Sequence, residues 1–295
     1  MPPLQPFGSF ASALGATVAT AIAFRGARKK SLSTGGAIAA WLVGFLSIGS
    51  GLRGFVLLLF YQIGSSATKY KKAQKEQLDA TAHDGAVRGP SQVLACSILA
   101  VLLSLLHAYY FGPERPIHFV DDSNNDDYSF ASNLSCAILA HHATCLADTL
   151  ASELGVLARE QPRLIWFPWK RVPPGTNGGI TRWGTLWTAL GGAMIGIGTL
   201  MVDCATGNYP RAPWRILLFG TLCGIIGSTL DSILGATMQA TYFDTNTKMV
   251  HSSKQPGFKH ICGIDILTNV QVNFLSVTIT TVLGGWILGP MIIRN

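Results

Sequence analysis

Eight apolar runs, at about 9–24, 35–48, 54–66, 91–111, 130–157, 183–202, 214–239 and 266–288, recur along a chain of 295 residues. A helix needs about 20 apolar residues to cross the hydrocarbon of a bilayer, and in lipid its backbone groups must be satisfied within the segment. The fold class that follows is all-α: a polytopic helical membrane protein of about eight transmembrane helices, forming one integral domain over 1–295. The longest stretches between runs, about 25 residues, are too short to bury a core of their own. The first run is short and reads either as a span or as an uncleaved signal anchor, although its leader MPPLQPF lacks positive charge. The second and third, split by GSGLRG, also admit a broken helical pair lining a cavity.

A net charge of +7 would suggest nucleic acid in a soluble chain. Here the basic residues collect in loops beside apolar segments, so the charge reports orientation and no nucleic-acid partner is expected. With eight spans, 17 Lys plus Arg fall on one side (four at 25–30, five at 69–88, five at 159–182, three at 248–259). Five fall on the other: Arg53, Arg115, Arg211, Arg215 and Arg294. The first side is therefore expected to be cytosolic and the N-terminus non-cytosolic. Loops 67–90, 158–182 and 240–265 become cytosolic, and 112–129, with Glu114, Asp121, Asp122, Asp126 and Asp127, becomes a non-cytosolic acidic loop. That acidic run reads as a solvated loop, since no calcium-ligand spacing repeats in it. The six cysteines mostly lie inside apolar runs and show no paired framework, so they read as small membrane residues. Glycine pairs at 192/196, 220/224 and 285/289 fit close helix packing.

Against this background the charged and amide side chains at helix ends stand out, because such groups are costly in hydrocarbon. Asp148 and Glu153 end the fifth run, Asp231 ends the seventh, Lys69 follows the third, and Asp265, Asn269 and Asn273 open the eighth. All fall at one depth on the basic side. Helical spacing puts His141, Thr144 or Cys145, Asp148 and Ser152 on one face and Asp265, Asn269 and Asn273 on another. Glu153 lies well round the helix from Asp148, so both reach one ligand only if the helix ends there. The stretches TLASELG (149–155) and TLDSILG (229–235) agree at five of seven positions, which suggests an internal repeat.

Between the fifth and sixth runs lies KRVPPGTNGGITRWGT. Gly175, Gly178 and Gly179 allow N–H groups around Thr176 and Asn177 to converge on an anion, with Lys170, Arg171 and Arg182 supplying charge. The loop does not match the Walker pattern, and a plain turn is the alternative reading. Carboxylates opposite a glycine-rich basic loop are what nucleotide chemistry needs: acids for Mg²⁺, amides and cations for phosphate.

Several ordered motifs, KKSLSTGGAIAAWLVGF, SSATKYK, ADTLASELG, RVPPGTNGGIT, GSTLDSILGATMQ and the stretch with Asn269 and Asn273, make the chain resemble a known family over roughly 29–286. It is the family of membrane proteins called transmembrane protein 19, whose plant and bacterial relatives include the plastid phytyl-phosphate kinase. DTLASELG followed by the GT loop is also similar to the signature of the CTP-dependent dolichol kinases and, more distantly, of phosphatidate cytidylyltransferases. That likeness implies Asp148 and Ser152 at a nucleotide and metal site, and Gly175, Thr176 and Gly178 in a phosphate loop. Asn177 departs from the pattern, the plastid kinases carrying an acid there.

The function expected from these readings is a membrane-embedded phosphotransferase acting on an isoprenoid alcohol or isoprenyl monophosphate with CTP or another nucleoside triphosphate. Asp148, Asp231 and Glu153 would hold Mg²⁺, Lys69 and the 175–179 loop would neutralise the phosphate, and Asn269 and Asn273 would orient it. Asp148 or Glu153 would take the proton of an alcohol acceptor. A transporter of a small ion or anionic metabolite, or a non-catalytic endomembrane protein, are the competing expectations. No transit peptide is recognisable, so the expected location is the endoplasmic reticulum or another endomembrane.

Overall fold

The computed structural model describes residues 5–80, 87–119 and 126–293. The eight apolar runs appear as helices: α1 (Ser9–Arg28), α2 (Thr34–Ser50), α3 (Phe55–Lys69), the pair α5 (Pro90–Ala95) and α6 (Ile98–Phe111), α7 (Asp126–Gly155), α8 (Arg182–Thr206), α9 (Pro213–Met238) and α10 (Asn269–Leu283). A short α4 (Lys72–Glu76) follows α3, and α10 runs through a π-helical turn into α11 (Gly289–Ile293). Five of the helices, α1, α7, α8, α9 and the α10–α11 rod, are long and apolar enough to cross a membrane, and α2 and α6 are shorter apolar helices. Their starts are written locally. Ser33 caps α2 by accepting from Gly36 N, Thr181 caps α8 by accepting from Gly184 N, and Thr268 with Gln271 forms a capping box on α10.

The fourth run is not one helix. It breaks at Cys96–Ser97, where Ser97 leaves helical geometry (φ −149°, ψ −28°). The freed Cys96 carbonyl is taken up by α7, accepting from His141 Nε2 at 3.0 Å and Cys145 Sγ at 3.6 Å. A broken helix is tolerated at membrane depth when a neighbour re-satisfies its backbone. The eighth helix also starts later than its hydropathy suggests, at Asn269, because Thr268 caps it; Asp265 therefore lies outside the helical stripe and is exposed.

Helix α7 is the axis of the molecule, buried along most of its length between α3, α6, α8, α9 and α10. Without a hydrophobic drive between helices in lipid, small residues let backbones approach. At the α8–α9 crossing a Cβ on Gly220 would stand 2.7 Å from Gly192 O, and one on Gly224 would stand 2.9 Å from Gly192 Cα. The contacts there are backbone and cannot give way. Gly220→Leu is expected to wedge α8 from α9 and cost at least about 1–3 kcal/mol, read as a lowered unfolding midpoint in detergent.

Two small sheets cap one end. Sheet one contains β1 (Arg163–Leu164), β2 (Phe167–Arg171) and β3 (Gly179–Ile180) in the order β2-β1-β3. Sheet two contains β4 (Thr241–Phe243), β5 (Val250–His251) and β6 (Lys259–Cys262) in the order β5-β4-β6. Both are antiparallel with the first strand central, and each joins a long helix to a Thr-capped one. The unit α7–sheet–α8 thus recurs as α9–sheet–α10. The matching heptapeptides 149–155 and 229–235 occupy the same place in both, at the end of the first helix.

The opposite end is closed by one arginine. Arg53, 7% exposed, donates from Nε to Asp203 Oδ1 at 2.9 Å, from Nη1 to Ser135 Oγ at 3.0 Å and from Nη2 to Arg115 O at 2.8 Å. Its N–H donates to Glu114 Oε1 at 2.6 Å. Burial raises the Glu114 carboxyl above its ordinary range despite this arginine. The acidic loop, read as solvated, thus contributes at least Glu114 to a buried network; Asp121 and Asp122 lie outside the described residues, as does Arg294.

Candidate active site

At the sheet-bearing end, the last turns of α7 and α9 and the first turns of α10 meet. Asp148 sits two turns from the end of α7, half-buried, and its Oδ1 accepts from Ser228 Oγ of α9 at 3.2 Å. By the register of the two heptapeptides Asp148 and Ser228 are equivalent positions of the repeated unit, and here they touch. Asp231, one turn further along α9, accepts at Oδ1 from Ser276 Oγ of α10 at 2.9 Å. With its amide turned to present Nδ2, Asn273 donates to the same Oδ1 at 3.1 Å and to Asn269 O at 3.0 Å. Ser228, which Asp148 binds, lies one turn from Asp231 on α9. Three helices therefore bring Asp148, Asp231 and Asn273 to adjoining turns, Asp148 through Ser228 and Asn273 through Asp231. Asn269 and Ser152 are exposed, and Ser152 Oγ is engaged on its own helix, donating to Asp148 O at 2.9 Å.

Three expectations are corrected. Glu153 does not join the other acids. It forms an ion pair with Lys75, whose Nζ also donates to Ala67 O at 3.0 Å and Thr68 O at 2.7 Å. Helix α7 continues to Gly155, which keeps Glu153 turned away from Asp148 toward α3 and α4. Lys69 is exposed at the end of α3, and the buried cation of this region is Lys75, 5% exposed. Removal of the Glu153 charge leaves that ammonium buried without a counter-ion. Glu153→Gln is thus expected to lower the unfolding midpoint, with turnover per folded molecule kept within about threefold; breaking a fully buried pair costs about 3–5 kcal/mol, and partial exposure of Glu153 puts this one below that range.

The 175–179 loop is the third. Its N–H groups are largely engaged: Thr176 N donates to Pro173 O at 3.2 Å, Asn177 N to Thr241 Oγ1 at 3.3 Å and Gly179 N to Thr176 O at 2.9 Å. Gly178, at φ +69°, packs on Ser232 O and Ala236 of α9, and Gly175, at φ +86°, packs on Val250 and Asp79. Glycine is needed there for left-handed backbone and close approach, so the loop is a junction between the sheets and α9 instead of an anion cradle. Arg182 stands away from it, facing a groove beside α3.

Beside the acids lies a cavity of about 110 Å³ bounded mainly by α1, α2, α3 and α5. Its walls are largely apolar, with Val43, Leu57 and Phe60 among them, and also include the polar side chains of Arg88, Gln92, Thr149 and Asn273. Among the described residues Arg88 has no carboxylate partner; its Nη2 reaches only Thr68 Oγ1 at 3.5 Å. Sequence reading missed Lys75 and Arg88, which lie in a polar connection that resembles an ordinary loop. Ser228 and Ser276 had signals, the first in the repeat register and the second three residues after Asn273. Among the described residues no group of three or more His, Cys, Asp or Glu is arranged to hold a metal.

The family model described as integral membrane protein DUF92 matches residues 8–281. The chain belongs to that family. This DUF92 chain is 35% identical over 272 residues to "Protein PGR" of Arabidopsis thaliana, covering 90% of the chain and 92% of that protein. It is 29% identical over 218 residues to an uncharacterized membrane protein of Synechocystis, covering 72% of the chain and 74% of the relative. To "Protein VTE6, chloroplastic" of Arabidopsis thaliana it is 27% identical over 210 residues, 70% of the chain and 56% of the relative. No solved structure matches the chain. The DUF92 chain is thus an integral multi-pass membrane protein, in accord with its helices.

Proposed function

We propose that the protein is a phosphotransferase that moves a phosphoryl group from CTP or another nucleoside triphosphate, with Mg²⁺, onto an isoprenyl monophosphate or isoprenoid alcohol. The observation that carries this reading is the double position of Asn273, which lines the apolar cavity and hydrogen-bonds Asp231. A lipid tail in that cavity would meet the Asp231 carboxylate at this residue. The resemblance to phytyl-phosphate and dolichol kinases points the same way.

Mg²⁺ is commonly held by one or two carboxylates together with substrate phosphates. Asp148 and Asp231 fit that pattern, since one oxygen of each is engaged by a serine and Oδ2 of each has no protein donor among the described residues. When bound, the ion neutralises the donor's phosphates and holds their oxygens. Ser228 and Ser276 keep the two carboxylates in place, which supplies the preorganisation that phosphoryl transfer chiefly needs. Arg88 holds the acceptor head in the cavity, whose lining among the described residues includes no Asp or Glu. The bond from the donor's terminal phosphorus to its bridging oxygen breaks as the acceptor oxygen bonds to that phosphorus, and the nucleoside diphosphate leaves. A monophosphate acceptor needs no base; an alcohol would give its proton to Asp148. A guanidinium without a carboxylate partner among the described residues favours the monophosphate.

On the positive-inside count this end faces the cytosol, in the endoplasmic reticulum or another endomembrane; the chloroplastic label of one relative makes a plastid the competing location. The doubled helix–sheet–helix unit is also an architecture that carriers use, and one assay separates the two. Purified protein in detergent is incubated with γ-labelled CTP, Mg²⁺ and geranylgeranyl monophosphate. Labelled diphosphate supports the kinase. Uptake of labelled substrate into proteoliposomes without any product supports the carrier and overturns the proposal.

A further inference from the structure

A second concavity lies on another side of α3, between α3, α7 and α8, with a volume of about 1020 Å³. Its deep wall is apolar, formed by Ile63 of α3 and by Leu150 and Leu154 of α7, which is long and apolar enough to cross a membrane. Its rim carries Lys71, Arg159 and Arg182, all exposed, and among the described residues none of the three is ion-paired. The single acid on the rim, Glu160, accepts from the backbone N–H of Arg182 at 2.6 Å. Tyr70, 54% exposed, and Trp183, 46% exposed, line the same groove and adjoin Lys71 and Arg182 in the chain. Aromatic residues with an apolar body and a polar edge collect where hydrocarbon gives way to headgroups.

We propose that this groove binds one anionic glycerophospholipid, an acyl chain lying against Ile63, Leu150 and Leu154 and the phosphate-bearing headgroup held by Lys71, Arg159 and Arg182. Charge complementarity selects the occupant: three cations against one already engaged carboxylate suit an anionic headgroup and leave a zwitterionic one with its ammonium unmatched. The apolar wall selects a lipid over a soluble anion, because a phosphate alone would leave that wall uncovered. The site is independent of the phosphotransfer reading, since its lining includes neither Asp148 nor Asp231 and shares no residue with the cavity that Asn273 lines.

The test uses full-length protein in micelles and native mass spectrometry, titrating phosphatidylglycerol, phosphatidylcholine or inorganic phosphate. Wild type is expected to retain one phosphatidylglycerol and to lose phosphatidylcholine under the same activation. Each cation near a membrane surface contributes about fivefold in affinity, so the combined Lys71→Gln, Arg159→Gln, Arg182→Gln variant should bind phosphatidylglycerol about a hundredfold more weakly. A control with the same charge loss elsewhere, Arg25→Gln, Arg28→Gln, Lys30→Gln, should bind as wild type. Equal retention of phosphatidylcholine, unchanged binding by the groove variant, an equal loss in the control, or displacement of the lipid by millimolar phosphate would each overturn the proposal.

Discussion

Asp148→Asn and Asp231→Asn are each expected to lower kcat for labelled diphosphate formation by at least about a hundredfold, the scale of losing one preorganised charged or polar group at a transition state. The substitution is close to isosteric, and an asparagine Oδ1 at 148 still accepts from Ser228, as Asp148 does at 3.2 Å. The helix ends therefore stay packed and only the charge is lost. Both residues are half-buried, so removing a charge lifts a desolvation cost and stability should hold or rise. The double variant should be little worse than either single one, because groups acting as one unit are not additive. The check is single-turnover kinetics with each variant, beside its unfolding midpoint. A variant that unfolds at the wild-type midpoint and retains more than a tenth of the rate would remove that carboxylate from the chemistry.

Arg53→Ala is expected to give the largest loss of stability, about 3–5 kcal/mol, as found when one partner of a buried ion pair is deleted. In the Arg53–Asp203 pair the side chains are 8% and 2% exposed, and Asp203 Oδ2 already lacks a partner among the described residues. Deletion of the guanidinium would strand Asp203, Ser135 Oγ and the Arg115 carbonyl together, and would open the closure of α3, α7 and α8 at that end. The apolar double variant Arg53→Met, Asp203→Leu should regain much of the loss, since an uncompensated charge costs more than a missing pair. The measurement is the unfolding midpoint in mixed micelles with added SDS. Because the network lies at the end remote from Asp148, kcat of the folded fraction should stay near wild type, which sets this variant apart from the aspartate substitutions.

Much of the fold was written in hydropathy and capping. All eight apolar runs become helices, and Ser33, Thr181 and Thr268 mark starts within about a turn of those expected. The break at Cys96 was not legible, because nothing local forbids helix there; its compensation comes from His141, 45 residues away. The sheets were missed for a related reason. Strands of two to five residues carry too little alternation to be read, and β2 is exposed along its whole length. At the site, spacing brought Asp148, Asp231 and Asn273 together because position on a helix fixes direction. It failed for Glu153, Lys69 and the 175–179 loop, where partners come from loops whose paths the sequence does not specify. Lys75 is the instructive case: the four lysines between 69 and 88 would look alike to any pattern, yet one is buried against α3 carbonyls and Glu153.

Acids from two separate helices, Asp148 and Asp231, are proposed to serve a single ion. Electron paramagnetic resonance of Mn²⁺ substituted for Mg²⁺, titrated into purified protein with CTP present, addresses it without relying on turnover. One high-affinity Mn²⁺ per chain is predicted for wild type, lost in Asp148→Asn and equally in Asp231→Asn. Retention of that ion at wild-type affinity in either variant would contradict the account.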